Sequence, residues 1–198
     1  AAALLMLAGY NGHEMLLDPM CGAGTLPIEA ALMARNLPAL GGRSIAMESW
    51  PCHREAAWRH LMGKAHELAL GAAPAPVLGR DKSSAALKAA AANALRANVN
   101  EDVRFDRVDF FSTPPPSGPP GLLVMNPPYG KRLGSVRQAE KFIQGLGQRL
   151  AQEYGGWRVA IVLYLPQWLD SLGLQDMRAL SAPFGGIKVA LAAGKVPR

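Results

Sequence analysis

The chain has 198 residues, 49% of them hydrophobic and 18% charged, which is long enough for one domain with a sizeable core and excludes a disordered or fibrous composition. Its formal charge is +6, from 21 basic and 15 acidic residues. That excess suits a polyanionic partner, but no dense basic run exists, so any cationic surface has to be assembled by folding.

Residues 1–8 read as the end of a helix already under way, closed by Gly9 and Asn11-Gly12, so the chain is expected to be a piece of a longer protein. Met15-Leu16-Leu17 forms a short strand that runs into Asp18-Pro19-Met20-Cys21-Gly22-Ala23-Gly24-Thr25. A helix follows over residues 26–35, with Thr25 as its N-cap and Pro27 in its first turn. An insertion spans about 36–72: a loop with Pro38 and Gly41-Gly42, then a helical stretch over 53–70. Its Ala57, Leu61, Ala65 and Leu68 share one face, expected to pack on the flank of the sheet, with Trp50 and Trp58 as anchors. Pro76-Val77-Leu78-Gly79-Arg80-Asp81 is the second strand, residues 83–97 an Ala-rich helix with a Ser cap, and residues 103–108 the third strand. A Pro-rich loop over 113–120 leads to the apolar run Gly121-Leu122-Leu123-Val124-Met125 and the sequence Asn126-Pro127-Pro128-Tyr129-Gly130. A long helix over 135–154 carries Phe142, Leu146 and Leu150 on one stripe, residues 157–163 form a fifth strand, and 166–172 a short helix. Strands over 177–182 and 187–193 close the chain through Phe184-Gly185-Gly186.

Strands alternating with helices in this order predict a doubly wound α/β fold, mainly parallel, with one antiparallel strand near the C-terminus. Ligands of such sheets bind outside the C-terminal strand ends. Four polar features stand there: Asp18 with its glycine loop, Asp81, Asp109 and Asn126. Gly22 and Gly24 remove side chains where a ligand approaches the backbone, but a dinucleotide fingerprint needs a third glycine where Pro27 stands. Asp18 would repel a pyrophosphate, so the loop suits a ligand with a cationic end and no phosphate, such as S-adenosylmethionine. Asp81 is placed to take the ribose hydroxyls and Asp109 the adenine amino group. Two prolines after Asn126 hold it in extended geometry. A rigid amide, fixed carbonyls and the ring of Tyr129 are what a planar group carrying an –NH2 requires.

Asp-Pro-Met-Cys-Gly-Ala-Gly-Thr at 18–25, together with Asn-Pro-Pro-Tyr-Gly-Lys-Arg-Leu-Gly at 126–134, resembles the THUMP-associated RNA guanine-N2 methyltransferases, above all the bacterial 23S rRNA enzymes. The likeness extends over nearly the whole chain. It implies a class I methyltransferase (Rossmann-like) fold, S-adenosylmethionine as cofactor, RNA as substrate and an RNA-binding domain upstream. It further implies that Asp18, Met20, Cys21, Gly22, Gly24, Thr25, Asp81, Lys82, Asp109, Phe110 and Asn126 surround the cofactor. Asn126, Pro127 and Tyr129 would do the chemistry, and Pro128, Arg132 and Phe184 would contact the substrate. After Asp81 relatives usually carry an apolar residue and a second acid; Lys82 and Ser83 stand here.

The motif at 126–129 also fits adenine-N6 methylation of DNA, guanine-N2 methylation of tRNA, or methylation of a protein glutamine. A nicotinamide-dependent oxidoreductase is disfavoured by Pro27. A non-catalytic RNA-binding module is disfavoured by intact residues at all four strand ends. The two cysteines, Cys21 and Cys52, have no Cys-x-x-Cys spacing, and the four histidines lack ligand spacing with them. No metal site and no disulfide framework are expected, and the thiols read as those of a reduced, cytoplasmic protein.

Overall fold

The computed structural model describes residues 1–38, 45–128, 135–184 and 187–198. In chain order the elements are α1 (Ala2–Leu7), β1 (Leu16–Asp18), α2 (Thr25–Ala34), α3 (Glu55–Glu67), β2 (Val77–Asp81), α4 (Ser84–Arg96), β3 (Val103–Arg107), β4 (Leu122–Met125), α5 (Val136–Glu153), β5 (Arg158–Leu163), β6 (Gln175–Phe184) and β7 (Ile187–Lys195). The seven strands form one sheet in the order β3-β2-β1-β4-β5-β7-β6. All neighbours from β3 to β5 are parallel, and β7 runs antiparallel to both β5 and β6. Only β7 therefore opposes the common strand direction. Among the described residues no helix is long and apolar enough to cross a membrane.

The central strands carry apolar residues without alternation because both faces are covered. All residues of β1 and β4 are buried. Leu17, Leu123 and Met125 point to the side of α5, where they meet Ile143, Leu146 and Leu150. Leu16, Leu122 and Val124 point to the opposite side, against Leu4 and Leu5 of α1 and Ala30 and Ala31 of α2. The order of strands reverses between β1 and β4, and a crevice opens above such a switch point.

Local signals set the helix ends. Ser83 accepts the Ala86 N–H and starts α4, while Ser135 and Gln138 form a reciprocal capping box at α5. Thr25 is not the cap of α2: Gly24 takes that position with φ 84°, and Thr25 is the first helical residue. The glycine exits its loop left-handed, a geometry that threonine adopts only at a steric cost. The stretch at 166–172 is two 3₁₀ turns, Pro166–Trp168 and Asp170–Leu172, rather than one helix.

The expected packing of α3 is overturned. No residue of α3 is buried, and Leu61 and Leu68 are 59% and 70% exposed. The partly covered positions are Trp58, Met62 and Ala65, of which only Ala65 belongs to the expected face, and Trp50 is exposed. The reason lies at the ends of the segment. Arg35 and Leu70 exchange hydrogen bonds, Leu70 N–H to the Arg35 carbonyl at 2.8 Å and Arg35 Nε to the Leu70 carbonyl at 2.9 Å. The chain leaves and re-enters the body at that point, which places α3 outside the two packed layers.

Gly147 of α5 illustrates how tightly the layers meet. A Cβ there would lie 2.0 Å from the Ser171 carbonyl oxygen, whereas one at Gly145 would sit at an ordinary 3.8 Å from the Phe111 ring. Alanine gains about 1 kcal/mol over glycine within a helix, and overpacking against a backbone atom costs about 1–3 kcal/mol or more. Gly147→Ala should therefore lower the urea midpoint while Gly145→Ala leaves it equal or higher. Matching shifts in the two variants would contradict the packing argument.

Candidate active site

β1 ends on Asp18, whose carboxylate is 1% exposed and accepts the Met20 N–H at 3.0 Å. The chain then turns through Cys21, which donates its N–H to the Arg80 carbonyl at 2.9 Å, and through Gly22 with φ 54°. The Gly22 N–H donates to Asp81 Oδ2 at 2.9 Å, and the Ser83 N–H donates to Asp81 Oδ1 at 2.8 Å. One carboxylate at the end of β2 thus ties down the glycine loop and the entry to α4. Beyond β3, Asp109 Oδ1 accepts the Phe111 N–H at 2.8 Å and folds a turn. β4 delivers Asn126, exposed, followed by buried Pro127 and half-buried Pro128.

These ends surround a cleft with about 750 Å³ of empty volume, its open mouth included. Asp81, Lys82, Asp109 and Asn126 supply its polar lining, and Gly22 its floor beside Pro19 and Met20. Val108, Phe111, Phe142 and Pro128 add apolar walls, and Phe110 contributes as well. The Phe111 and Phe142 rings meet edge-on, centroids 5.4 Å apart. A Cβ on Gly22 would meet nothing within 4 Å, so this glycine leaves open space beside the backbone.

Of the expected site residues, Met20, Gly22, Asp81, Lys82, Asp109, Phe110, Asn126 and Pro128 line this cleft. Asp18, Cys21, Gly24, Thr25 and Pro127 do not. Asp18 stands behind the loop that Met20 presents. Cys21 is buried, and burial first, then the charges of Asp18 and Asp81, push its thiol up. Gly24 is closely packed: a Cβ would lie 3.0 Å from the Ala90 Cβ and 3.1 Å from Ile28 Cδ1. Thr25 is exposed on the first turn of α2. The Phe110 ring is 5% exposed and packs at 5.5 Å from Tyr154, whereas Phe111 is 40% exposed and turns toward the cleft. Tyr129 and Arg132 lie outside the described residues, and of Phe184 only its place at the end of β6, opposite Ile187, is described. Sequence reasoning missed Pro19, Val108, Phe111 and Phe142. Phe111 had a signal, since it directly follows a candidate acid and an aromatic; Phe142 was hidden in an apolar helical stripe.

Burial raises the Asp18 carboxyl to about 8, opposed by the Met20 N–H and helped by the nearby Asp81 charge. The folded chain then holds this proton more tightly than the unfolded chain does. The stabilisation is complete below the ordinary value of 3.8 and is lost as pH rises through about 8. Asp18→Asn keeps the acceptor for Met20 and cannot ionise. Urea midpoints from pH 5 to 8 should fall in the parent and flatten in this variant; parallel slopes would remove the assignment.

A family model described as UPF0020, RMKL-like, methyltransferase domain matches residues 1–193. The ribosomal RNA large subunit methyltransferase K/L of Chromohalobacter salexigens is 40% identical over 185 residues, covering 88% of this chain and 25% of that protein. The chain thus spans a quarter of the length of that relative. Among solved structures, SMU.472, crystallised in complex with SAH, superimposes with a TM-score of 0.86 at 25% identity, over 100% of this chain and 52% of that one. A predicted N6-adenine-specific DNA methylase from Listeria monocytogenes gives 0.79 at 23% identity, over 99% of this chain and 50% of that one, a likeness of fold. The sheet order, the loop after β1 and a match that runs from Ala1 to Ala193 converge on one conclusion: the chain belongs to the RMKL-like methyltransferase domain family.

Proposed function

We propose that this domain transfers a methyl group from S-adenosylmethionine to the exocyclic N2 of a guanine in RNA, with 23S rRNA as the substrate. The observation that carries the reading is the position of Asn126. It is exposed at the end of β4, in the same cleft as Gly22, Asp81 and Asp109.

The residues present fit the cofactor. Gly22 leaves room beside the backbone for its methionine part. Each oxygen of Asp81 accepts one N–H, and a carboxylate has about four lone-pair sites, so two remain for a ribose diol. Asp109 keeps one oxygen for an amino group, and Phe111 and Phe142 offer the apolar surface that an adenine needs. When bound, S-adenosylmethionine supplies an electrophilic methyl carbon on a sulfonium.

The work of the chain is to aim a weak nucleophile at that carbon. The guanine amino lone pair is delocalised into its ring. Asn126 Oδ1 and the Pro127 carbonyl would accept its two N–H bonds and localise the pair. Positioning and electrostatics then account for the rate, and no strong general base is required, because the nitrogen becomes acidic once alkylated and releases one proton to solvent after transfer. Tyr129, by resemblance, stacks on the base, and a base must leave its stack to enter. An upstream RNA-binding domain would hold the rest of the RNA.

The test is chemical identification of the product. Unmodified 23S rRNA treated with the protein and labelled cofactor, then digested to nucleosides, should yield N2-methylguanosine. Label in N6-methyladenosine, in DNA or in protein glutamine would replace this reading with the corresponding rival.

A further inference from the structure

The turn that brings Asp109 and Phe111 to the cleft lies beyond the sheet, since β3 ends at Arg107. Much of its support comes from α5. Phe142, Gly145 and Arg149 fall on one stripe of that helix. Phe142 meets the Phe111 ring, and a Cβ at Gly145 would stand 3.8 Å from the same ring. Arg149 places its guanidinium carbon 5.7 Å from the centre of the Phe110 ring and donates Nη2 to the Thr113 carbonyl at 2.8 Å. From β2, Arg80 donates Nη1 to the Pro114 carbonyl at 3.2 Å. Two guanidiniums thus hold consecutive carbonyls of one loop.

Neither arginine behaves as a spare surface charge. The Arg149 side chain is only 14% exposed, and its other described partner is Glu153, one helical turn away at 2.7 Å. A pair of that spacing is worth about 0.2–0.5 kcal/mol on an isolated helix, too little to explain burying a guanidinium. The Nε atoms of both arginines are buried without a partner among the described residues. The arginines tolerate that loss while serving the loop.

We propose that Arg149, assisted by Arg80, is a positioning residue for cofactor binding. By holding the Thr113 and Pro114 carbonyls it sets the turn at 109–111, so that Phe110 packs inward and Asp109 and Phe111 face the adenine side of the cleft. The inference rests on the cofactor reading above. It separates two jobs on α5, whose neighbouring residues Ile143, Leu146 and Leu150 build the core.

Arg149→Met keeps an unbranched stem over Phe110 and removes the guanidinium; Glu153→Gln removes the ion pair and keeps the Thr113 contact. Calorimetry with S-adenosylhomocysteine should show Kd rising about tenfold in Arg149→Met, about threefold in Arg80→Met, and staying level in Glu153→Gln. In the methylation assay the KM for S-adenosylmethionine should rise with Kd, while kcat at saturating cofactor and the KM for RNA stay within about twofold. Arg149→Lys should restore part of the loss, since an ammonium reaches one carbonyl without the fork. Equal affinity in Arg149→Met and the parent overturns this inference alone. So does an equal loss in Glu153→Gln, which would make general support of α5 the cause. Absence of binding by the parent chain overturns the cofactor reading and this inference with it. Should Arg149→Met not fold, Arg80→Met and Arg149→Lys decide the question by the same two readouts.

Discussion

Asn126→Ala should lower methyl transfer by about a hundredfold or more while the affinity for S-adenosylhomocysteine stays within about threefold. The side chain is exposed and has no hydrogen-bond partner among the described residues, so the fold does not depend on it. What is lost is an acceptor aimed at an amino group, and the two prolines after it keep the surrounding backbone unchanged. Asn126→Asp retains an acceptor oxygen of the same reach and should keep much more of the rate than Asn126→Ala. A turnover in Asn126→Ala equal to that of the parent would reject the residue's role, whichever base proves to be the target.

Asp81→Ala should produce the second large effect, on the cofactor rather than on the chemical step. Its carboxylate accepts the Gly22 and Ser83 N–H groups, so the change unties the glycine loop and loosens the first turn of α4. Hydrogen bonds to charged groups contribute about 1.5–3 kcal/mol each; Asp81 is only half-buried, which argues for the lower end. The expected result is an affinity for S-adenosylhomocysteine reduced about a hundredfold, and a urea midpoint lowered by a smaller amount. A second signature follows from Asp18. The Asp81 charge is one of the causes that raise the Asp18 carboxyl, so its removal should make stability less dependent on pH between 5 and 8. Calorimetry and urea melts on one preparation read both effects. Undiminished binding in Asp81→Ala would exclude the ribose role.

The strands were legible because a run such as Leu122-Leu123-Val124-Met125, free of polar interruption, has to be covered on both faces. The acids were legible for the complementary reason: Asp81 ends the strand Val77–Asp81, and a carboxylate there must find donors or water. α3 was misread because amphipathic spacing says that a face is available, not that another element reaches it. Its polar ties at Arg35 and Leu70 leave Leu61 and Leu68 in solvent. The two glycines of the loop look alike in sequence and differ in space. Gly22 borders open space and Gly24 presses on Ala90, a distinction set by where α4 lies. Phe110 and Phe111 differ likewise, since the Asp109 turn decides which of two adjacent rings enters the core.

β1 is three residues long and stands inside the sheet, between β2 and β4. Its partners follow late: Leu16 pairs with Val77 on one side and with Leu122, roughly a hundred residues on, at the other. A nascent chain that has reached only α4 already possesses Asp18, the glycine loop and Asp81, yet lacks the strand that flanks β1 and carries Asn126. Closing so long a loop costs entropy before any contact repays it. Folding of this domain is accordingly expected to be slow and late, and the two halves of the cleft arise in one cooperative event.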